Sequence, residues 1–308
     1  MIVVALVGTV SCTSTPRQPN FSGLVDIGGR KIYMQCSGSG TPTVILISGL
    51  DTAADLWNAP EQPGPKVFPQ VAMTTRVCAY DRPGAPTTLG KPSRNDPVPQ
   101  PTTTQNAVDD LHALLKAAKA PGPYVFAAHS YGGLIARLYA NLYPHDVVGV
   151  VFVDVLTPEL RDGMTHQWWE AWKIANARSA EAIAEYPALE RLDIDQSLDQ
   201  LDHARTLRPM PVVVLSADQL YGRDIEQQVA AGKLPKGVPP ELGYVIDSIN
   251  KGAQEKVAAL VPGARHVTDT HSGHNMMIDQ PMLVTDAILQ VVDAVRDGRS
   301  TVIESRAP

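Results

Sequence analysis

The sequence predicts an α/β domain with a mostly parallel sheet, helices on both faces and an inserted helical cap. Three observations predict it. Short aliphatic runs alternate with stretches of helical periodicity. Those runs are almost continuously apolar, as strands buried on both faces are. Between Leu156 and Pro209 the strand pattern stops and a polar, Trp-containing helical pattern replaces it. The chain has 308 residues, 44% hydrophobic and 19% charged, which supplies a core large enough for one such domain.

In chain order, Phe21 to Gly29 and Arg30 to Ser37 read as two strands joined at Gly28-Gly29, a hairpin signal. Thr43 to Ile47 and Arg76 to Tyr80 follow as buried strands. The six prolines from Pro83 to Pro101 exclude regular structure and predict a surface excursion. Thr102 with Gln105 makes a capping-box pattern, and Val108, Leu111, Leu114, Leu115 and Ala118 recur at helical spacing. Tyr124 to His129 reads as a strand, Tyr131 to Leu142 as a helix, and Val147 to Val155 and Pro211 to Leu215 as further strands. After the run Arg265 to Thr270, a last helix starts near Pro281 and places Val284, Ile288, Val291, Val292 and Val295 on one face before Gly298. The expected organisation is a signal-like segment and tether over 1–20, the α/β domain over 21–155 and 210–297, the cap over 156–209 and a tail over 298–308.

The sharpest chemical signal is Ala128-His129-Ser130-Tyr131-Gly132-Gly133 at a strand-to-helix junction. A serine presented on such a turn needs small residues two before and two after it, so that strand and helix can approach closely. A serine hydroxyl also needs a base, and a neutral imidazole serves best near pH 7. With Leu46-Ile47-Ser48-Gly49-Leu50, Tyr80-Asp81-Arg82-Pro83-Gly84, and Ser272-Gly273-His274 before Asp279-Gln280-Pro281, the chain resembles the α/β-hydrolase superfamily over nearly all of 21–297. The resemblance implies an α/β-hydrolase fold, with Ser130 as nucleophile, His274 as base, and the Leu50 and Tyr131 N–H groups as the oxyanion hole.

A third group must hold the imidazole in one tautomer. Asp154 and Asp218 compete for that role. Asp218 ends a strand where most of the superfamily keeps its acid, though that acid normally falls two residues later, at Leu220 here. Asp154 occupies the site that haloalkane dehalogenases and some lipases use, and it is the preferred candidate. His129 reads as a packing or hydrogen-bonding residue, and Asp81 and Arg82 as braces for loops near the site. His266, His271 and His274 lack the spacing and cysteine partners of a zinc site, so neither metal nor cofactor is expected.

Implied by the resemblance is a serine hydrolase that cleaves carboxylic esters of small or medium hydrophobic substrates through an acyl-enzyme, a carboxylesterase. Trp168, Trp169 and Trp172 in the cap are candidates for lining the substrate site. A prolyl-type aminopeptidase on the same residues is one alternative, with Glu181, Glu185 and Glu190 as candidates to hold a substrate ammonium. A hydrolase-fold binding protein without turnover is another. The formal charge of −6 is the wrong sign for a nucleic-acid partner, and the sequence does not fix the oligomeric state.

Met1 to Val10 is an apolar run before Ser11-Cys12 and a Thr/Ser/Pro-rich stretch, which resembles a bacterial lipoprotein signal with Cys12 as the lipidation site. This predicts export, with membrane attachment only through the N-terminus; a cytoplasmic location follows if the segment is not a signal. Of three cysteines, Cys36 and Cys78 then remain as a pair. The superfamily's sheet order makes their strands neighbours, which implies a Cys36–Cys78 disulfide.

Overall fold

The computed structural model describes residues 19–59, 62–202, 204 and 206–303. Cys12, the signal-like run and the end of the tail lie outside the described residues. Eight strands form one sheet in the order β1-β2-β4-β3-β5-β6-β7-β8: β1 (Phe21–Asp26), β2 (Lys31–Ser37), β3 (Thr43–Ile47), β4 (Val77–Tyr80), β5 (Tyr124–His129), β6 (Val147–Val153), β7 (Val212–Leu215) and β8 (Arg265–Val267). β1, β2 and β4 pair antiparallel, and every pairing from β4 to β8 is parallel. Within the antiparallel part Cys36 lies directly opposite Cys78, and the structure joins them by a disulfide.

The helices are α1 (Val67–Ala72), α2 (Thr104–Ala117), α3 (Gly132–Leu142), α4 (Pro158–Asp162), α5 (His166–Ala175), α6 (Ala180–Glu185), α7 (Ile194–Asp199), α8 (Tyr221–Ala230), α9 (Leu242–Ala258), α10 (Met276–Asp279) and α11 (Pro281–Arg296). Successive side chains of a strand point to opposite faces, and β5 shows the result. Phe126 and Ala128 join a core with Val108 and Leu111 of α2 and Ile135 of α3, whereas Val125 and Ala127 join another with Val67 of α1 and Ile288 and Val291 of α11. Both faces of the central strands are therefore covered, which is why their sequences read as unbroken apolar runs. Burying one such Phe or Val stabilises by about 1.5–3 kcal/mol. The close fit leaves no room at Gly149, where an added Cβ would lie 2.5 Å from Val291.

Two local expectations are corrected. The capping box sits one residue later: Thr103 caps α2, accepting from the Asn106 N–H while Asn106 Oδ1 accepts from the Thr103 N–H at 3.0 Å. Thr102 is drawn instead into a parallel bridge with Leu192, and its N–H donates to Arg191. The Pro-rich segment is not wholly a surface excursion, since Ala85 and Asn95 within it are buried, as are Asp81 and Arg82 just before it. Their polar groups go under because each is partnered. Asp81 takes two bonds from Arg94 and the Ala54 N–H, and Asn95 joins the Tyr33 N–H to the Asp81 carbonyl. The sequence reading also assigned no structure to 221–258, where α8 and α9 form; Leu242, Ile246, Ala253 and Val257 carry the buried face of α9.

Candidate active site

Ser130 stands at the tip of the turn between β5 and α3 with φ of +51°, a left-handed conformation that costs a non-glycine residue about 1–3 kcal/mol. Its backbone is held from three sides: its N–H donates to Val153, and its carbonyl accepts from Gly133 and Leu156. The glycines after it are forced by contact. A Cβ at Gly132 would lie 2.5 Å from the Ile47 carbonyl, and one at Gly133 would lie 2.4 Å from Val155. Gly49 is bound similarly, because a Cβ there would meet His129 Nδ1 at 2.8 Å and Ser130 Cβ at 3.0 Å.

His274 comes from the loop before α10, and its Nδ1 lies 2.6 Å from Asp154 Oδ2. Of the two competing aspartates, the structure brings Asp154 to the imidazole. Asp154 follows β6 with φ of +41° and is buried. Its second oxygen accepts from the Ala217 N–H at 3.2 Å and Asn250 at 3.4 Å. Burial opposes its charge, but the hydrogen bond and charge of His274, with bonds from Tyr221 and Ala217, outweigh burial and hold its carboxyl below the ordinary value. Asp218 is exposed and serves the loop instead, accepting from the Thr270, His271 and Ser272 N–H groups at 3.1, 2.9 and 2.9 Å.

Tyr221, the first residue of α8, escaped the sequence reading. Its hydroxyl donates to Asp154 Oδ2 at 2.5 Å and its oxygen lies 2.8 Å from His274 Nδ1. Burial, then the Asp154 charge, push the phenol well above its ordinary pKa, so it stays a proton donor. The only available signal was its place just after the β7 end, where the superfamily's usual acid position is occupied by Leu220. His129 is buried and donates from Nε2 to the His274 carbonyl at 2.9 Å, tying the histidine loop to the strand that carries Ser130. Burial, and secondarily His274, lower its pKa to about 3, so it is neutral. The three histidines considered as metal ligands are apart in role: His266 bonds Ser216 Oγ, His271 sits exposed beside Asp269, and His274 faces Asp154.

Leu50 and Tyr131 both line the cavity that Ser130 and His274 line. Among the described residues neither N–H donates a hydrogen bond, as an oxyanion hole awaiting its anion requires. The Leu50 loop is fixed from behind. Arg82 donates to the Ser48 and Gly49 carbonyls and pairs with Glu190 at 2.7 Å, both side chains nearly fully buried, and Glu190 also accepts the Asp51 N–H at 2.7 Å. Arg82 thus braces the site, together with Asp81 behind it. The acidic cluster considered for a substrate ammonium does not form: Glu190 is committed to Arg82, and Glu181 and Glu185 are exposed.

The cavity measures about 520 Å³, within the range of small-molecule sites. Its walls come from both sides of β7: Leu156, Leu160 and Trp172 before it, Ile246 and Asn250 of α9 after it. The three tryptophans separate. Trp172 lines the cavity, whereas Trp169 is buried behind it, stacked at 4.8 Å and donating to Asp195 at 2.7 Å, and Trp168 packs on the core. Substrate contact by Trp168 and Trp169 is thereby corrected to a structural role, because the Asp195 bond and the stack turn Trp169 inward.

Residues 44–287 match the model of the Alpha/beta hydrolase family. The chain belongs to that family. This α/β hydrolase is 24% identical over 265 residues to an AB hydrolase superfamily protein of Gibberella zeae, covering 72% of this chain and 80% of that one. It is 24% identical over 317 residues to a protein of Hormonema carpetanum named "Probable transporter efuK", covering 90% of this chain but 44% of the relative, so it spans less than half of that protein. Among solved structures, an E-2-(acetamidomethylene)succinate hydrolase matches with a TM-score of 0.59 at 17% identity over 90% of this chain and all of the other. Carboxylesterase CesB of Bacillus subtilis matches at 0.56 and 14% identity, covering 89% and 92%. At these identities the structural likeness shows the fold.

Proposed function

We propose that this α/β hydrolase is a serine carboxylesterase that cleaves esters with a small or medium apolar part. One observation carries the reading: His274, oriented by a 2.6 Å bond to buried Asp154, shares a cavity with Ser130 at a strained turn and with two unpaired N–H groups. In this reading Ser130 Oγ attacks the ester carbonyl as its proton passes to His274 Nε2. The Asp154 carboxylate supports the imidazolium through Nδ1–H. The Leu50 and Tyr131 N–H groups hold the carbonyl oxygen as it becomes an anion. His274 then returns the proton to the departing alcohol, and water, deprotonated by the same imidazole, releases the acid from Ser130. The commitment of Glu190 to Arg82 counts against an aminopeptidase. The Cys36–Cys78 bond supports the export reading, since disulfides persist in oxidising compartments.

A series of p-nitrophenyl esters of increasing acyl length tests the reaction. The expected result is a rate maximum at short to medium chains that vanishes in Ser130→Ala. Hydrolysis surviving that substitution, or none by the wild-type protein, overturns the reading.

A further inference from the structure

One wall of the cavity is basic, and the esterase chemistry leaves it unused. Lys173, Arg178 and Arg191 all line it. Lys173 is held between Glu170 at 2.8 Å and Asp195 at 2.9 Å, and Arg191 donates to the Pro187 and Gln100 carbonyls. Arg178, in the loop between α5 and α6, is held differently. Its Nη2 pairs with Asp51, while its Nε is buried with no hydrogen-bond partner among the described residues. The Nε–Nη2 edge of a guanidinium can hold a carboxylate by two parallel bonds, and here neither hydrogen bond is made among the described residues, Nη2 having only its ion pair with Asp51.

Asp51 is a replaceable partner. Burial, opposed by Arg178, pushes its carboxyl up to about 6, so it gains little from staying ionised there. The other acids at the cavity are engaged elsewhere, Asp154 with His274 and Glu190 with Arg82. A ligand carboxylate that displaces Asp51 is therefore the group that completes the Arg178 edge, at the cost of one ion pair, whereas engaging Lys173 or Arg191 would disturb two established contacts each.

We propose that Arg178 forms a carboxylate subsite, so that the substrate is an ester bearing its own carboxylate, whose apolar part lies against Leu156, Leu160, Trp172 and Ile246. The reaction rests on the esterase reading, but the subsite can be tested without turnover. Calorimetry with Ser130→Ala protein compares monomethyl glutarate with dimethyl glutarate, which has the same chain and no charge. The half-ester is expected to bind at least about tenfold tighter, as a charge-assisted bidentate contact implies. Adding Arg178→Met removes that margin, Arg178→Lys keeps part of it because the charge remains without the fork, and Asp51→Asn widens it by removing the internal competitor. Equal binding of the two esters, or a margin that Arg178→Met leaves unchanged, overturns the proposal. If the half-ester margin appears but the wild-type protein hydrolyses no ester, the carboxylate subsite stands and the esterase reading fails.

Discussion

Replacing Asp154 by Asn separates the two aspartates that the sequence left in competition. In the native site Asp154 Oδ2 receives His274 Nδ1 at 2.6 Å and the Tyr221 hydroxyl at 2.5 Å, and Oδ1 receives the Ala217 N–H at 3.2 Å. An asparagine has one oxygen and one NH2 to offer these donors. If the NH2 faces His274, the imidazole must take the other tautomer, in which Nε2 already carries a proton and cannot accept the one that Ser130 must lose. If the NH2 turns away, it faces the Ala217 N–H and Asn250, and donors oppose donors. Either orientation leaves a buried group unsatisfied, a stability cost of about 1–3 kcal/mol, and the tautomer error lowers kcat by roughly 10⁴-fold. Asp218→Asn still accepts with its oxygen from the Thr270 and His271 N–H groups, losing only the Ser272 bond of the three, and kcat/KM is expected to fall by less than about tenfold. Steady-state kinetics on p-nitrophenyl butyrate across pH measures both. Equal losses, or a larger loss in Asp218→Asn, refute the assignment of Asp154 as the partner of His274.

Further outcomes follow from the same geometry. Tyr221→Phe removes the hydroxyl that donates to Asp154 and is expected to lower kcat about tenfold with KM little changed, a charge-assisted bond being worth about 1.5–3 kcal/mol; an unchanged kcat assigns Tyr221 to packing alone. Gly132→Ala places a Cβ 2.5 Å from the Ile47 carbonyl, and its Tm is expected to fall by several degrees, for a loss of about 1–3 kcal/mol; an unaltered melting curve contradicts the close approach. His129 has a folded pKa of about 3, below its ordinary value. The unfolded chain therefore binds the proton more readily, and the stability His129 contributes is full above about pH 6.5 and lost as pH falls toward 3. The slope of Tm against pH over that window is expected to flatten in His129→Asn, and an identical slope shows that His129 is not the group responsible.

Much of this site was legible because it depends on local patterns. The small residues around Ser130 are dictated by backbone approaching backbone within a few residues, so Ala128, Gly132 and Gly133 announce the turn directly. The parallel sheet was legible because β3 to β7 are buried on both faces and have no polar alternation to confuse them. Long-range pairings were less accessible. Which aspartate meets His274 depends on how the chain returns after β6 and β7, a matter of tertiary geometry with no local marker. Tyr221 reaches Asp154 across 67 residues of sequence, and Glu190 reaches Arg82 across 108, so neither partnership has a spacing to read. The helix pattern of α9 was present in Leu242, Ile246, Ala253 and Val257 but lay among polar residues without a capping side chain.

The central claim is that Ser130 is an activated nucleophile, and covalent labelling tests it most directly. A fluorophosphonate probe reacts with a serine whose proton a neighbouring base accepts and whose adduct an oxyanion hole stabilises. The account predicts one modified peptide, containing Ser130, with labelling abolished in Ser130→Ala and strongly slowed in His274→Ala. Folded protein that takes up no label, or takes it up at another residue, contradicts it.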